Sequence, residues 1–284
     1  MGILSPVRWF RDGFRLMVNG QATYDVLLYQ LLSMRPFSFL PKPRAVKLPD
    51  GFRIYVNDEA TLSINVVDHY VRREYMWHDN YIPRRGWIVV DAGAYVGIYT
   101  LWASKLVGDS GFVIAFEPNP LAYAWLIRNI EVNNARNIRA LPYALGDETT
   151  YATLHIAKEN IEASSLIPNH ITNNPSGNYT IINAFKVPVI TLDFIISRSG
   201  LFIGRGIDRI DLVKIDVEGY EMRVLMGSEK LLGRGLIERF VIEVHKDQVR
   251  TIDVINYLSD YGYRPVGVKH FDHVKDVAYI RLTR

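Results

Sequence analysis

Apolar runs rich in β-branched and aromatic residues recur through the middle of the chain, at 87–90, 112–116, 138–145, 212–215 and 240–245. Short runs of this kind fit strands buried on both faces of a parallel sheet. Between them the apolar residues change to helical spacing. Val96, Ile98, Leu101, Trp102 and Leu106 predict one helix, and 120–134, 220–232 and 250–261 predict others. Strand and helix alternate, the pattern of a doubly wound α/β sheet. Residues 264–269 and 277–282 are further strands around a turn at 270–275, so the last pair is antiparallel. Ahead of the alternation, 46–56 reads as a hairpin turning at Pro49-Asp50-Gly51, 58–75 as a helix and 79–86 as the loop into the central strand.

Two stretches depart from this rhythm. The 138–145 strand is broken by Pro142 and ends at Gly146-Asp147; then 151–157 alternates, 159–177 is polar and rich in Asn, Ser and Pro, and 185–192 alternates again. The span 148–190 is expected to be an inserted hairpin or flap over the carboxyl edge of the sheet, where loops shape specificity. Ser164 and Ser165 lie in it, in a position to touch substrate. A helix at 192–199 and a basic, Gly-containing link at 204–209 lead back to the sheet. The second departure is 1–45, where Arg8, Arg11 and Arg15 interleave with Trp9, Phe10, Phe14, Leu16 and Met17. Another apolar run fills 24–32 before Pro36, Pro41 and Pro43 end any helix. The expectation is a helical arm ahead of one domain at 46–284, packed on that domain or on a second copy in a homo-oligomer. The alternative is peripheral contact with an anionic membrane.

Composition narrows the classes. With 49% hydrophobic and 22% charged residues in 284, the chain is an ordinary globular protein. A net charge of +3 permits an anionic partner without demanding nucleic acid. The absence of cysteine excludes disulfides, thiolate nucleophiles and zinc–thiolate sites. Neither a spanning apolar run nor a signal-type leader is present, so a cytoplasmic protein is expected, with the arm as its route to a membrane.

The candidate chemistry gathers at strand ends. Asp91 closes the first strand, and Gly93 and Gly97 bracket the turn into a helix. That spelling, D-x-G-x-x-x-G, lacks the glycine pattern of a dinucleotide site, and an acid in the turn repels a pyrophosphate. It suits a ligand carrying an ammonium group, such as the methionine part of S-adenosylmethionine (SAM). Glu117, ending the second strand ahead of Pro118-Asn119, stands where doubly wound folds grip ribose hydroxyls. Lys214 and Asp216 share one face of a buried strand, which is tolerable only if they pair. Glu218 opens the next helix, and Glu243 and His245 share a face at the end of the following strand. Asp216, Glu218, Glu243 and His245 thus converge on one rim, as a general base or a divalent-metal site requires.

DAGAYVG, FEPNP, the Ala-Leu-Gly-Asp after the third strand, KIDVEGYE and IEVH occur in that order. Over about 46–250 the sequence resembles FkbM-type SAM-dependent methyltransferases. The resemblance implies the class I methyltransferase fold, Rossmann-like, with a seven-stranded, mostly parallel sheet and an antiparallel terminal strand. It implies SAM bound on Asp91, Gly93, Gly97 and Glu117 with their neighbours Ala94, Tyr95, Pro118 and Asn119. Ala144 stands where many such enzymes set an acid against adenine, and Asp147 comes later. The implied reaction is O-methylation of a hydroxyl on a sugar, glycan or related small molecule. His245 is the first candidate base and Asp216 the alternative, with Lys214, Glu218 and Glu243 beside them; Mg2+ on Asp216 and Glu243 is an optional second cofactor. Methylation of RNA or another nucleic acid is the rival activity, disfavoured because DVEG stands where amino-methylating enzymes carry N/D-P-P-Y/F. A non-catalytic binding module on the same fold is the other rival.

Overall fold

The computed structural model describes residues 15–33, 44–55, 65–158, 160–173, 179–271 and 274–283. The early hairpin is β1 (Ala45–Lys47) and β2 (Arg53–Tyr55), paired antiparallel. The main sheet comprises β3 (Ile88–Ala92), β4 (Phe112–Phe116), β5 (Ile138–Leu141), β9 (Leu212–Ile215), β10 (Arg239–His245), β11 (Tyr263–His270) and β12 (Lys275–Leu282). Their spatial order is β5-β4-β3-β9-β10-β12-β11, with β12 antiparallel to both neighbours and the other pairings parallel. The alternation predicts a doubly wound sheet, and the order and directions found are the seven-stranded class I methyltransferase arrangement that the resemblance implies.

Side-chain alternation divides the core between the two faces. Val89, Val113, Leu212 and Val241 pack against helix α2 (Ile98–Val107) on one face, while Val90, Ile114, Val213 and Ile242 face the other. All eight are fully buried, and each contributes about 1.5–3 kcal/mol by leaving water. The order reverses between β3 and β9, so the loops after these strands run to opposite faces and open a crevice at their carboxyl ends.

Pro142 does more than interrupt a strand. It hands the chain from β5 to β6 (Ala144–Leu145), which belongs to a separate three-stranded sheet with β7 (Thr150–Ala157) and β8 (Ile181–Ile190). Its strands β7 and β8 fall within the span 148–190 expected to form the flap, and between them lies the short helix α4 (Pro168–Thr172). The helix expected at 220–232 is two, α5 (Glu221–Met226) and α6 (Glu229–Gly233). The break falls at Gly227, whose Cβ would lie 1.9 Å from the Gly146 carbonyl oxygen.

Within the arm, α1 (Tyr24–Ser33) packs on the domain: Val26 and Tyr29 are buried with Val46, Leu48 and Ile54. The Asp25 carboxylate accepts the Lys47 N–H at 3.0 Å. Arg8, Trp9, Phe10, Arg11 and Phe14 and the three prolines lie outside the described residues, as do residues 58–64 of the span 58–75 where a helix is expected. The described end of that segment is a π-helical turn, Val67–Val71. Among the described residues no helix is long and apolar enough to cross a membrane.

Candidate active site

A cavity of about 480 Å3 opens at the carboxyl ends of β3, β4, β9 and β10 and is roofed by flap residues including Leu154, Ser164 and Leu166. That volume suits a nucleoside-sized ligand. Gly93, Ala94, Tyr95, Glu117, Pro118, Asn119, Ala144, Lys214, Asp216, Glu218, Glu243 and His245 all line it; Asp91 and Gly97 do not. Of the flap serines, Ser165 instead donates to the Glu218 carbonyl at 2.6 Å.

Asp91 and Gly97 shape the loop from behind. Asp91 is fully buried; its Oδ2 accepts from Thr100 at 2.5 Å, and its Oδ1 lies 3.2 Å from Lys214 Nζ. A ligand contact for Asp91 is therefore replaced by an internal ion pair, because its side chain points into the sheet toward β9. Gly97 caps α2 with φ 96°, and a Cβ there would meet Leu126 at 2.7 Å. Gly93, with φ 79°, is more constrained still, since its Cβ would lie 1.7 Å from the Asp216 carbonyl oxygen. Tyr95 also takes a left-handed φ of 48° and donates its N–H to Glu117 at 2.7 Å.

Glu117 is preorganised by backbone. One carboxylate oxygen accepts from Tyr95 N and the other from Asn119 N at 2.8 Å. Asn119 Oδ1 caps helix α3 (Pro120–Val132) by accepting from Leu121 N, whereas its buried Nδ2 has no partner among the described residues. Burial pushes the Glu117 carboxyl up to about 7, against the pull of its two backbone bonds. A carboxyl-carbon NMR titration of the ligand-free protein should therefore place Glu117 near 7; a midpoint near 4.5 would mean that water reaches the group. Since the folded value lies above the unfolded one, the stability from this group is complete below about 4.5 and is lost as pH rises to about 7.

At the other end, Lys214 Nζ lies 3.3 Å from Asp216 and donates to the Gly93 carbonyl at 2.7 Å. The paired charges expected of β9 are present, with Asp91 as a third member. Burial raises the Asp216 pKa, but Lys214 outweighs it and leaves the carboxylate below its usual range. Tyr75 OH lies 2.9 Å from Asp216 and 2.8 Å from Glu243. One hydroxyl carries one proton, so serving both carboxylates requires another proton on the pair. Burial and the neighbouring Asp216 push the Glu243 pKa up, while Lys275 holds its other oxygen at 2.7 Å.

His245 is buried, with Nδ1 2.9 Å from Glu221 and Nε2 3.5 Å from Glu218 and 3.6 Å from Glu243. Burial works to lower its pKa, but Glu218, Glu221 and Glu243 prevail and raise it well above 6.5. The three carboxylates thus favour a proton on the ring, which works against its expected role as base and favours the alternative, Asp216. His170, brought down by α4, places Nε2 2.8 Å from Glu218 and Nδ1 2.8 Å from Asp247. Tyr75, His170, Asp247 and Lys275 are site residues that sequence patterns do not reveal, whereas Glu221 closes the KIDVEGYE stretch without a role of its own there. Only the basic turn at 270–275 offers a signal for one of them.

Sequence comparison matches residues 91–265 to the methyltransferase FkbM domain. The chain is similar to Methyltransferase 1 of Beauveria bassiana, 30% identical over 50% of this chain and 58% of that protein, so the match spans little more than half of the relative's length. It is also similar to the 31-O-demethyl-FK506 methyltransferase FkbM of Streptomyces tacrolimicus, 28% identical over 65% of this chain and 75% of that one. Among solved structures, a methyltransferase FkbM from Methylobacillus flagellatus superposes with a TM-score of 0.47 at 17% identity, covering 79% of this chain and 56% of that chain. With the domain signature running from the glycine loop through the acidic strand ends, the chain belongs to the FkbM family of SAM-dependent methyltransferases.

Proposed function

We propose that the protein methylates a hydroxyl of a small polyhydroxylated acceptor, with sugars and glycans as the first class. Asp216 carries the reading: an ionised carboxylate lining the cavity, directly behind the glycine loop. When bound, SAM supplies a methyl group on a sulfonium leaving group, so the protein must align the acceptor and remove one proton. Glu117 would accept the ribose hydroxyls and Asn119 Nδ2 would find its missing acceptor. Tyr143 and Leu145, flanking Ala144, supply an apolar wall for the adenine. Asp216 takes the acceptor proton, with Lys214 and Tyr75 fixing its orientation.

Seven acidic side chains line the cavity against three fixed cations, Arg72, Lys214 and Lys275. Asp216 and Glu243 already have Lys214, Lys275 and Tyr75 as partners, so Mg2+ at this pair would have to displace them. The reading invokes SAM alone.

Thermal unfolding with S-adenosylhomocysteine, against NAD as control, tests the cofactor. Ligand at a hundred times its Kd should add about 2.7 kcal/mol of stability. Labelled-methyl transfer to a sugar panel then tests the acceptor, with Asp216→Asn expected to slow it by about 100-fold or more. Equal shifts with both nucleotides, or an unaltered rate in the variant, would overturn the assignment.

A further inference from the structure

His170, Glu218 and His245 form a cluster that methyl transfer does not use. His170 sits on α4 of the flap, Glu218 follows β9, and His245 ends β10. Both imidazoles turn Nε2 toward the same carboxylate oxygen, Glu218 Oε2, at 2.8 and 3.5 Å, and their rings meet edge to face with centroids 4.9 Å apart. We infer that these three residues bind one divalent transition-metal ion of the zinc class, through the two Nε2 atoms and the Glu218 carboxylate, and so pin the flap to the sheet.

The spacing fits such an ion. Nitrogen and oxygen ligands about 2.0–2.1 Å from a tetrahedral zinc lie about 3.3 Å from one another. Here one ligand atom from each residue falls within 4.8 Å of the other two. The outer contacts fit as well. Each Nδ1 faces its own carboxylate, Asp247 at 2.8 Å for His170 and Glu221 at 2.9 Å for His245. Carboxylate–histidine pairs of this kind orient metal-binding imidazoles and direct Nε2 at the ion. Glu218 holds a left-handed φ of 51°, and Gly219 follows at φ 95°, a conformation that favours glycine. Local strain thus presents the Glu218 side chain to the two histidines. Two nitrogens and one carboxylate select a zinc-class ion over Mg2+ or Ca2+, which prefer all-oxygen sites.

The site is independent of the acceptor, and its readout is metal content. Full-length protein stripped with a chelator and equilibrated with zinc should retain one equivalent by elemental analysis. Cobalt substitution should give visible d–d absorption. His170→Gln and Glu218→Gln should each weaken zinc binding at least tenfold, and Asp247→Asn about tenfold. An unchanged thermal shift with S-adenosylhomocysteine in His170→Gln would show that the variant is folded. Substoichiometric zinc in the wild type would overturn the inference, as would His170→Gln retaining full affinity; either result leaves the cluster as imidazolium–carboxylate ion pairs.

Discussion

Replacing Lys214 with methionine should cost the fold about 3–5 kcal/mol, the usual consequence of stranding buried charges. The lysine side chain is 4% exposed and is the shared partner of Asp91 and Asp216. Its ammonium also lies 5.4 Å from the Tyr75 ring and 5.9 Å from the Tyr99 ring, and it closes the Gly93 carbonyl. Methionine fills the space but answers none of these groups. Burial already raises the Asp91 pKa with the lysine in place. In the variant both carboxylates should therefore gain protons more readily, and the deficit should shrink as pH falls from 7 toward 4. Adding Asp91→Asn should recover part of the loss. Urea unfolding of the single and double variants measures this; a loss below about 1 kcal/mol would mean that water, not Lys214, compensates the two acids.

Gly93→Ala should abolish S-adenosylhomocysteine binding and destabilise the protein by about 3 kcal/mol. The obstruction is backbone, the Asp216 carbonyl oxygen 1.7 Å from the new carbon, so no rotamer change relieves it. The φ of 79° adds strain of its own. Relief requires the β3 loop to withdraw from the end of β9, which pulls Tyr95 N away from Glu117 and unmakes the ribose end of the site. Calorimetric titration checks the binding and denaturant unfolding the stability. Retained affinity within about threefold would mean that the loop tolerates displacement and that the cradle is not set by Gly93.

The strands were legible because burial on both faces leaves a contiguous apolar run, and the Lys214–Asp216 pair because strand alternation puts i and i+2 on one face. The same logic is silent about the partner across the strand boundary. Asp91 reads as a ligand contact by position, but its pairing with Lys214 depends on β3 and β9 being neighbours, a fact of sheet order. Tyr75 and His170 escape for a similar reason. Tyr75 reaches Asp216 and Glu243 across sequence separations of 141 and 168 residues. His170 lies in a polar stretch with no periodicity, and only the flap's closure brings it to the strand ends. Pro142 marks a break visibly; that the chain changes sheets there is a tertiary fact.

The point where the chain leaves for the flap also bears on how such a protein diversifies. Leu145 of β6 lies beside Ile190 of β8 in parallel register, and Gly146 N donates to the Ile190 carbonyl at 3.0 Å. The intervening residues therefore depart and return side by side at the edge of the main core, the geometry of a cassette. Lengthening or exchanging such a segment costs little loop-closure entropy and leaves the ends of β3 and β4 in place. Acceptor range and methyl-donor binding can then be inherited separately, with chimeras joined at Gly146 and Ile190 as the natural units of exchange.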